Sequence, residues 1–134
     1  MFEYVAKCFR NYVGFSGRAR RSEFWFFFLF EALINLTFSF FYITFLALDS
    51  PYGVILISSL QTLFSLGIFL PGLAVTVRRL HDINKGWGWI FINAIIIVGN
   101  IWFLVLMCKA GTAGPNGYGE DPKATDSNQL ETTN

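Results

Sequence analysis

Hydrophobic positions along this chain come in blocks. Phe24 to Leu48, Tyr52 to Val77 and Trp87 to Cys108 are almost wholly apolar. Each exceeds the roughly 20 residues that an α-helix needs to cross a hydrocarbon core of about 30 Å. The pattern predicts an all-α membrane protein with three transmembrane helices, at about 24–48, 52–77 and 87–108. Turn chemistry separates them: Asp49-Ser50-Pro51 ahead of Tyr52-Gly53, then Asp82 to Gly86. Links this short make sequential helices antiparallel. The first block is too long for the apolar core of a cleaved signal peptide and lacks a small-residue cleavage site after it, so it is expected to stay as an anchor.

Before the first span, residues 2–15 place Phe2, Val5, Phe9 and Tyr12 on one helical face, with Lys7 and Arg10 elsewhere. This predicts a short amphipathic helix, either lying on the cytoplasmic leaflet or packing on its own bundle. After the third span the chain turns polar, rich in Gly, Thr, Asn and Pro. Residues 1–123 are read as a single integral domain and 124–134 as a disordered tail.

Composition agrees with a bilayer as solvent: of 134 residues, 54% are apolar, 19% aromatic and only 14% charged. A chain this size leaves too much surface in water to hide such a content in a soluble core. Charge position sets the expected orientation, because Lys and Arg flanks stay in the cytoplasm. Lys7, Arg10, Arg18, Arg20 and Arg21 precede the first span, Arg78, Arg79 and Lys85 follow the second, and the loop between carries none. With three spans, the N-terminus is cytoplasmic and the tail periplasmic.

Candidate chemistry gathers in two boxes, "GFSGRARRSEFW" (14–25) and "AVTVRRLHD" (74–82). On this topology both meet one leaflet, and Arg18, Arg21, Arg78 and Arg79 form a basic rim steered by Glu23 and Asp82. Such a rim either enforces topology alone or binds anionic lipid headgroups or an acidic partner. Arg78, His81 and Asp82 share a face if the helix continues past Val77, and plain topogenic charge needs neither the histidine nor the aspartate. A guanidinium held by a carboxylate would meet a phosphate or carboxylate in bidentate geometry. His81 beside Asp82 also suggests a general base, but neighbours on a helix point about 100° apart and no nucleophile motif accompanies them. A non-enzymatic protein is therefore the leading reading.

Inside the spans, Glu31, Asn35 and Ser39 form a stripe, as do Ser58, Thr62 and Ser65 with Gln61 alongside; Asn93 and Asn100 lie a heptad apart. These groups are expected to face the bundle interior. Glu31 is the costly one, and an intramembrane acid raises the alternative of a proton or cation pathway, which so small a chain would build only as a homo-oligomer. Pro71 is a candidate kink. The tail "AGTAGPNGYGEDP" (110–122) is a turn series without the Lys and Ser/Thr of a phosphate-binding loop, so no nucleotide cofactor is implied. A net charge of +1 argues against nucleic acid. Cys8 and Cys108 fall on opposite sides in this topology, which disfavours a disulfide, and no spacing suggests a metal.

The set "NYVGFSGRARRSEFW", "LPGLAVTVRRLHD", "GWGW" and "CKAGTAGPNGYGEDPK" resembles the YhaH/YhaI-type bacterial inner-membrane proteins, the domain-of-unknown-function 805 family, over about Tyr4 to Lys123. The resemblance implies a small multi-span inner-membrane protein and brings no established activity. It places weight on Gly17, Arg18, Arg21, Glu23 and Trp25, on Arg78 to Asp82, and on Asn116, Gly119, Asp121 and Pro122. The chain departs from the family pattern at Gly117, where an arginine is usual, at Pro115, where an acid is usual, and at Glu31, where an amide is expected. The third span also lacks the family's frequent proline, which favours an unbroken helix.

Overall fold

The structure, a computed structural model, describes residues 2–124. Among these residues it is helical throughout, with α1 (Phe2–Arg10), α2 (Arg21–Ala47), α3 (Pro51–Asp82), a 3-10 helix η1 (Trp87–Ala94) and α4 (Val98–Cys108). The expectation of a disordered 124–134 tail falls, apart from Ala124, outside the described residues.

The two long helices form the stem. At 27 and 32 residues, α2 and α3 are long and apolar enough to cross a bilayer. Few of their side chains are buried, and Leu36, Phe40, Leu63, Leu66 and Phe69 all point outward. The core helix of a soluble protein would be covered instead; this apolar surface is suited to lipid. Between them the chain reverses tightly, with Asp49 at φ 50° and the Ser50 hydroxyl accepting from the Gly53 amide at 3.4 Å. Gly53 permits this return, since a Cβ there would meet the Phe45 ring. Farther along the stem, Phe38 packs on Phe64. The α3 helix runs unbroken through the buried Pro71.

The third apolar block departs from expectation. No continuous helix spans 87–108: η1 ends at Ala94, Ile97 turns at φ 70°, and α4 begins at Val98. The break needs no proline. Gly99 lets the chain fold back on itself, since a Cβ there would collide with the Ile92 carbonyl oxygen. With 11 residues, α4 reaches only about 16 Å, roughly half a hydrocarbon core. The polar chain after it therefore returns to the end of α3 that carries the arginines, and the expected separation of tail from rim is not found.

Helix α1 packs on both long helices. It buries Val5 and Cys8, while Phe2 and Phe9 remain exposed and Phe9 touches the Phe27 and Phe30 rings. The Tyr12 hydroxyl donates to the Gly67 carbonyl.

Candidate functional site

The α3 helix extends past Val77, where its apolar run ends, by about one and a half turns, and residues 78–82 are buried there with Leu80 among the charged side chains. Asn84 at φ 57° ends it, with the Asn84 amide donating to the His81 carbonyl and the Lys85 amide to the Leu80 carbonyl. Asparagine tolerates this left-handed position, and the paired bonds close the helix end. Residues 17–20 cross the same end, tied by the Ala19 amide to the Arg78 carbonyl at 3.0 Å.

The arginines expected on an outer rim lie inside. Arg18, Arg78 and Arg79 are buried with Glu23 and Asp82, while Arg21 stays exposed. A charge without water needs a charged partner and further hydrogen bonds, and Asp82 supplies the first for two guanidiniums. Arg18 Nε reaches its Oδ1 at 3.0 Å, and Arg79 Nη1 pairs with its Oδ2. The carboxylate pairing is thus i,i+3 to Arg79, and Arg78 turns elsewhere, to Glu23 Oε1 at 2.7 Å. Lys7 approaches Glu23 Oε2 at 3.2 Å, a partner that sequence spacing gave no means of finding.

The tail completes the cluster. Arg18 donates to the carbonyls of Thr112, Gly114 and Gly119, Arg79 to those of Met107 and Lys109, and Arg21 to that of Cys108. In return the tail caps α3, whose last carbonyls lack intrahelical donors. The Thr112 amide and hydroxyl both donate to the Asp82 carbonyl, at 2.8 and 3.1 Å, and Asn116 Nδ2 to the His81 carbonyl at 3.0 Å. Asn116 also bridges Gly119 and accepts from the Tyr118 amide. Asp121 accepts from the Lys123 and Gly114 amides, and these bonds, led by that from Lys123, hold its carboxyl below the usual carboxylate range. Pro122 borders a polar cleft of about 180 Å³ with Arg20, Arg21, Thr112 and Lys123. The motif "AGTAGPNGYGEDP" thus has a task that a turn reading did not reveal. Gly111 is its least replaceable part, since a Cβ there would meet Asp82 Oδ2.

The His81 and Asp82 side chains are not paired with each other. Asp82 is committed to two arginines, while His81 Nδ1 donates to the Gly17 carbonyl at 3.2 Å and its ring stacks on Tyr118, centroids 3.9 Å apart and 5° from parallel. Both rings border an apolar cavity of about 860 Å³ walled by Phe15, Leu73, Val77, Ile90 and Phe91.

The intramembrane polar residues meet in part. Gln61 Nε2 donates to Asn35 Oδ1 at 3.3 Å across α2 and α3, and Asn35 donates to the Glu31 carbonyl at 2.9 Å. Ser58 and Thr62 bond to carbonyls of their own helix, and Ser39, Ser65 and Asn100 point outward instead of into the bundle. The cysteines are both free, Cys8 buried and Cys108 exposed. Cys108, whose carbonyl Arg21 holds, lies at the arginine end, not opposite it.

Inner membrane protein YhaI of Escherichia coli (strain K12) is 39% identical over 121 residues, 90% of this chain and 96% of its own length. Inner membrane protein YhaH of the same organism is 38% identical over 124 residues, 90% of this chain and 97% of its own. No solved structure matches. The profile described as "Protein of unknown function (DUF805)" covers residues 12–120, both arginine boxes and the tail that joins them, and the chain belongs to that family.

Proposed function

We propose that this is a non-enzymatic binding protein of the bacterial inner membrane. Its N-terminus and its 109–123 segment both face the cytoplasm, and its outward cations at that end contact anionic lipid headgroups. One observation carries the reading. With the tail on the arginine boxes, Lys7, Arg18, Arg20, Arg21, Arg78, Arg79, Lys109 and Lys123 gather at one end of the stem, and the Asp49-Ser50 turn at the other end has no lysine or arginine. That is the charge distribution of a cytoplasmic end. Arg18, Arg78 and Arg79 are spent on internal pairing, so headgroups are left to the exposed Arg10, Arg21, Lys109 and Lys123. Each such cation adds about 1 kcal/mol near an anionic surface.

The test has two parts. In intact cells an impermeant maleimide should miss Cys108, and in inverted vesicles it should label it. Cys8 should react in neither, because burial and then the nearby Glu23 push its thiol up to about 11. Labelling of Cys108 from outside rejects the orientation. In native mass spectrometry, Arg21→Gln/Lys123→Gln should retain less phosphatidylglycerol than the wild type; equal retention rejects the headgroup reading.

A second reading, a proton or cation site, has one observation in its favour. Glu31 is half-buried on α2 and its carboxyl has no hydrogen-bond partner among the described residues. Equal flux through liposomes holding wild type or Glu31→Gln would remove it.

A further inference from the structure

The apolar cavity plays no part in the headgroup reading, and no lysine, arginine, aspartate or glutamate lines it. Its volume lies within the usual range of small-molecule sites, about 300–1,000 Å³. Apolar walls run from Leu73 and Val77 on α3 to Ile90 and Phe91 on η1, and Trp87 and Phe91 stand exposed along the η1 side. A hydrocarbon chain arriving from the bilayer meets apolar surface throughout.

The imidazole of His81 lines the cavity beside the hydroxyl side chains of Ser16 and Tyr118. His81 is only 9% exposed. Its Nδ1 faces the Gly17 carbonyl, which can only accept, so Nδ1 carries the proton and Nε2 of the neutral ring is left with a lone pair. No described group donates to that lone pair, and the Tyr118 stack fixes the plane in which it points. Asp82, the nearest carboxylate in sequence, is held by Arg18 and Arg79 and does not stabilise an imidazolium. Burial acts in the same direction, holding the imidazole below its ordinary pKa.

We infer that this cavity binds a neutral amphiphile whose hydroxyl donates to His81 Nε2 and whose hydrocarbon chain lies along Leu73, Val77, Ile90 and Phe91. A phosphate or carboxylate head would enter an uncharged site facing an acceptor, with its own charge unpaired. A ketone or ester would offer a second acceptor. A hydroxyl gives His81 Nε2 its donor, and lipid alcohols and quinols both carry one.

The experiment uses the full chain in phosphatidylcholine nanodiscs, with tryptophan fluorescence to follow binding. The probes are a dialkyl glycerol, a short-chain benzoquinol, and the methyl ether of each. At least one hydroxylated probe should bind saturably, and its methyl ether about tenfold more weakly, the effect of one hydrogen bond. His81→Phe preserves a ring against Tyr118 and should bring alcohol and ether to equal affinity. Leu73→Trp fills the cavity without touching the stack and should abolish both. Preference for glycerol or quinol then names the source. Equal binding of alcohol and ether by the wild type overturns the inference, as does unaltered binding to Leu73→Trp or no binding by any probe. The headgroup reading is independent of all these outcomes.

Discussion

Asp82 is the residue on which the polar end depends. Its single carboxylate pairs with both Arg18 and Arg79, each buried, and its main-chain carbonyl receives the tail. Removing one partner of a buried ion pair leaves an uncompensated charge, at a cost of about 3–5 kcal/mol. Asp82→Ala is therefore expected to lose about that much stability against unfolding in detergent micelles. Asp82→Asn should lose nearly as much, because its shape is kept and its charge is not. A loss below about 1 kcal/mol, the value of an exposed pair, would show that the cluster is wet. The sequence placed Arg18, Arg79 and Asp82 near one another in depth, yet the pairing depends on two side chains 64 positions apart. No local period reports a contact of that separation.

At the scale of elements, the tail is a cap for α3 more than a linker. Its backbone supplies acceptors to Arg18 and Arg79 and its donors close the helix end, an exchange in which each side satisfies groups that the other cannot. Close approach makes this work, and Gly111 makes the approach. In Gly111→Ala the new methyl would collide with Asp82 Oδ2, so this part of the tail must retreat. The expected result is a loss of about 1–3 kcal/mol and faster proteolytic nicking within 109–121, with the stem helices unchanged by circular dichroism. Unchanged nicking would mean that the tail is not seated on Asp82. Sequence reading recognised the Gly/Pro/Asn series as turns from its chemistry alone; what the turns dock against was not in the series.

For the whole molecule, the polar end should loosen in acid while the stem does not. Burial, opposed in part by the Gly17 carbonyl, holds the folded His81 below its ordinary 6.5. The unfolded segment therefore takes a proton first, and the stability this gives is present above 6.5 and lost as pH falls through the lower, folded value. Asp121 is depressed from 3.8 by the Lys123 and Gly114 amides, so its contribution is present above 3.8 and lost at still lower pH. Amide protection over 111–121 should accordingly fall in two stages on acidification, the first missing in His81→Phe. The α2 and α3 amides within the apolar stem, held by helix bonds in lipid, should show neither stage. A single transition shared by stem and tail would argue against a separately held cap.

By itself, the sequence determined that the chain is helical, that it lives in a membrane, and where its two long helices run. Those properties follow from composition, block length and turn residues, all of them local. Tertiary structure alone decided that the third apolar block breaks at Ile97 and Gly99, that the tail returns to the arginines, and that the basic boxes face inward. The physical reason is the same in each case. A glycine's tolerance for close approach and a buried charge's demand for partners are met by groups distant along the chain, and their geometry exists only once the helices have packed.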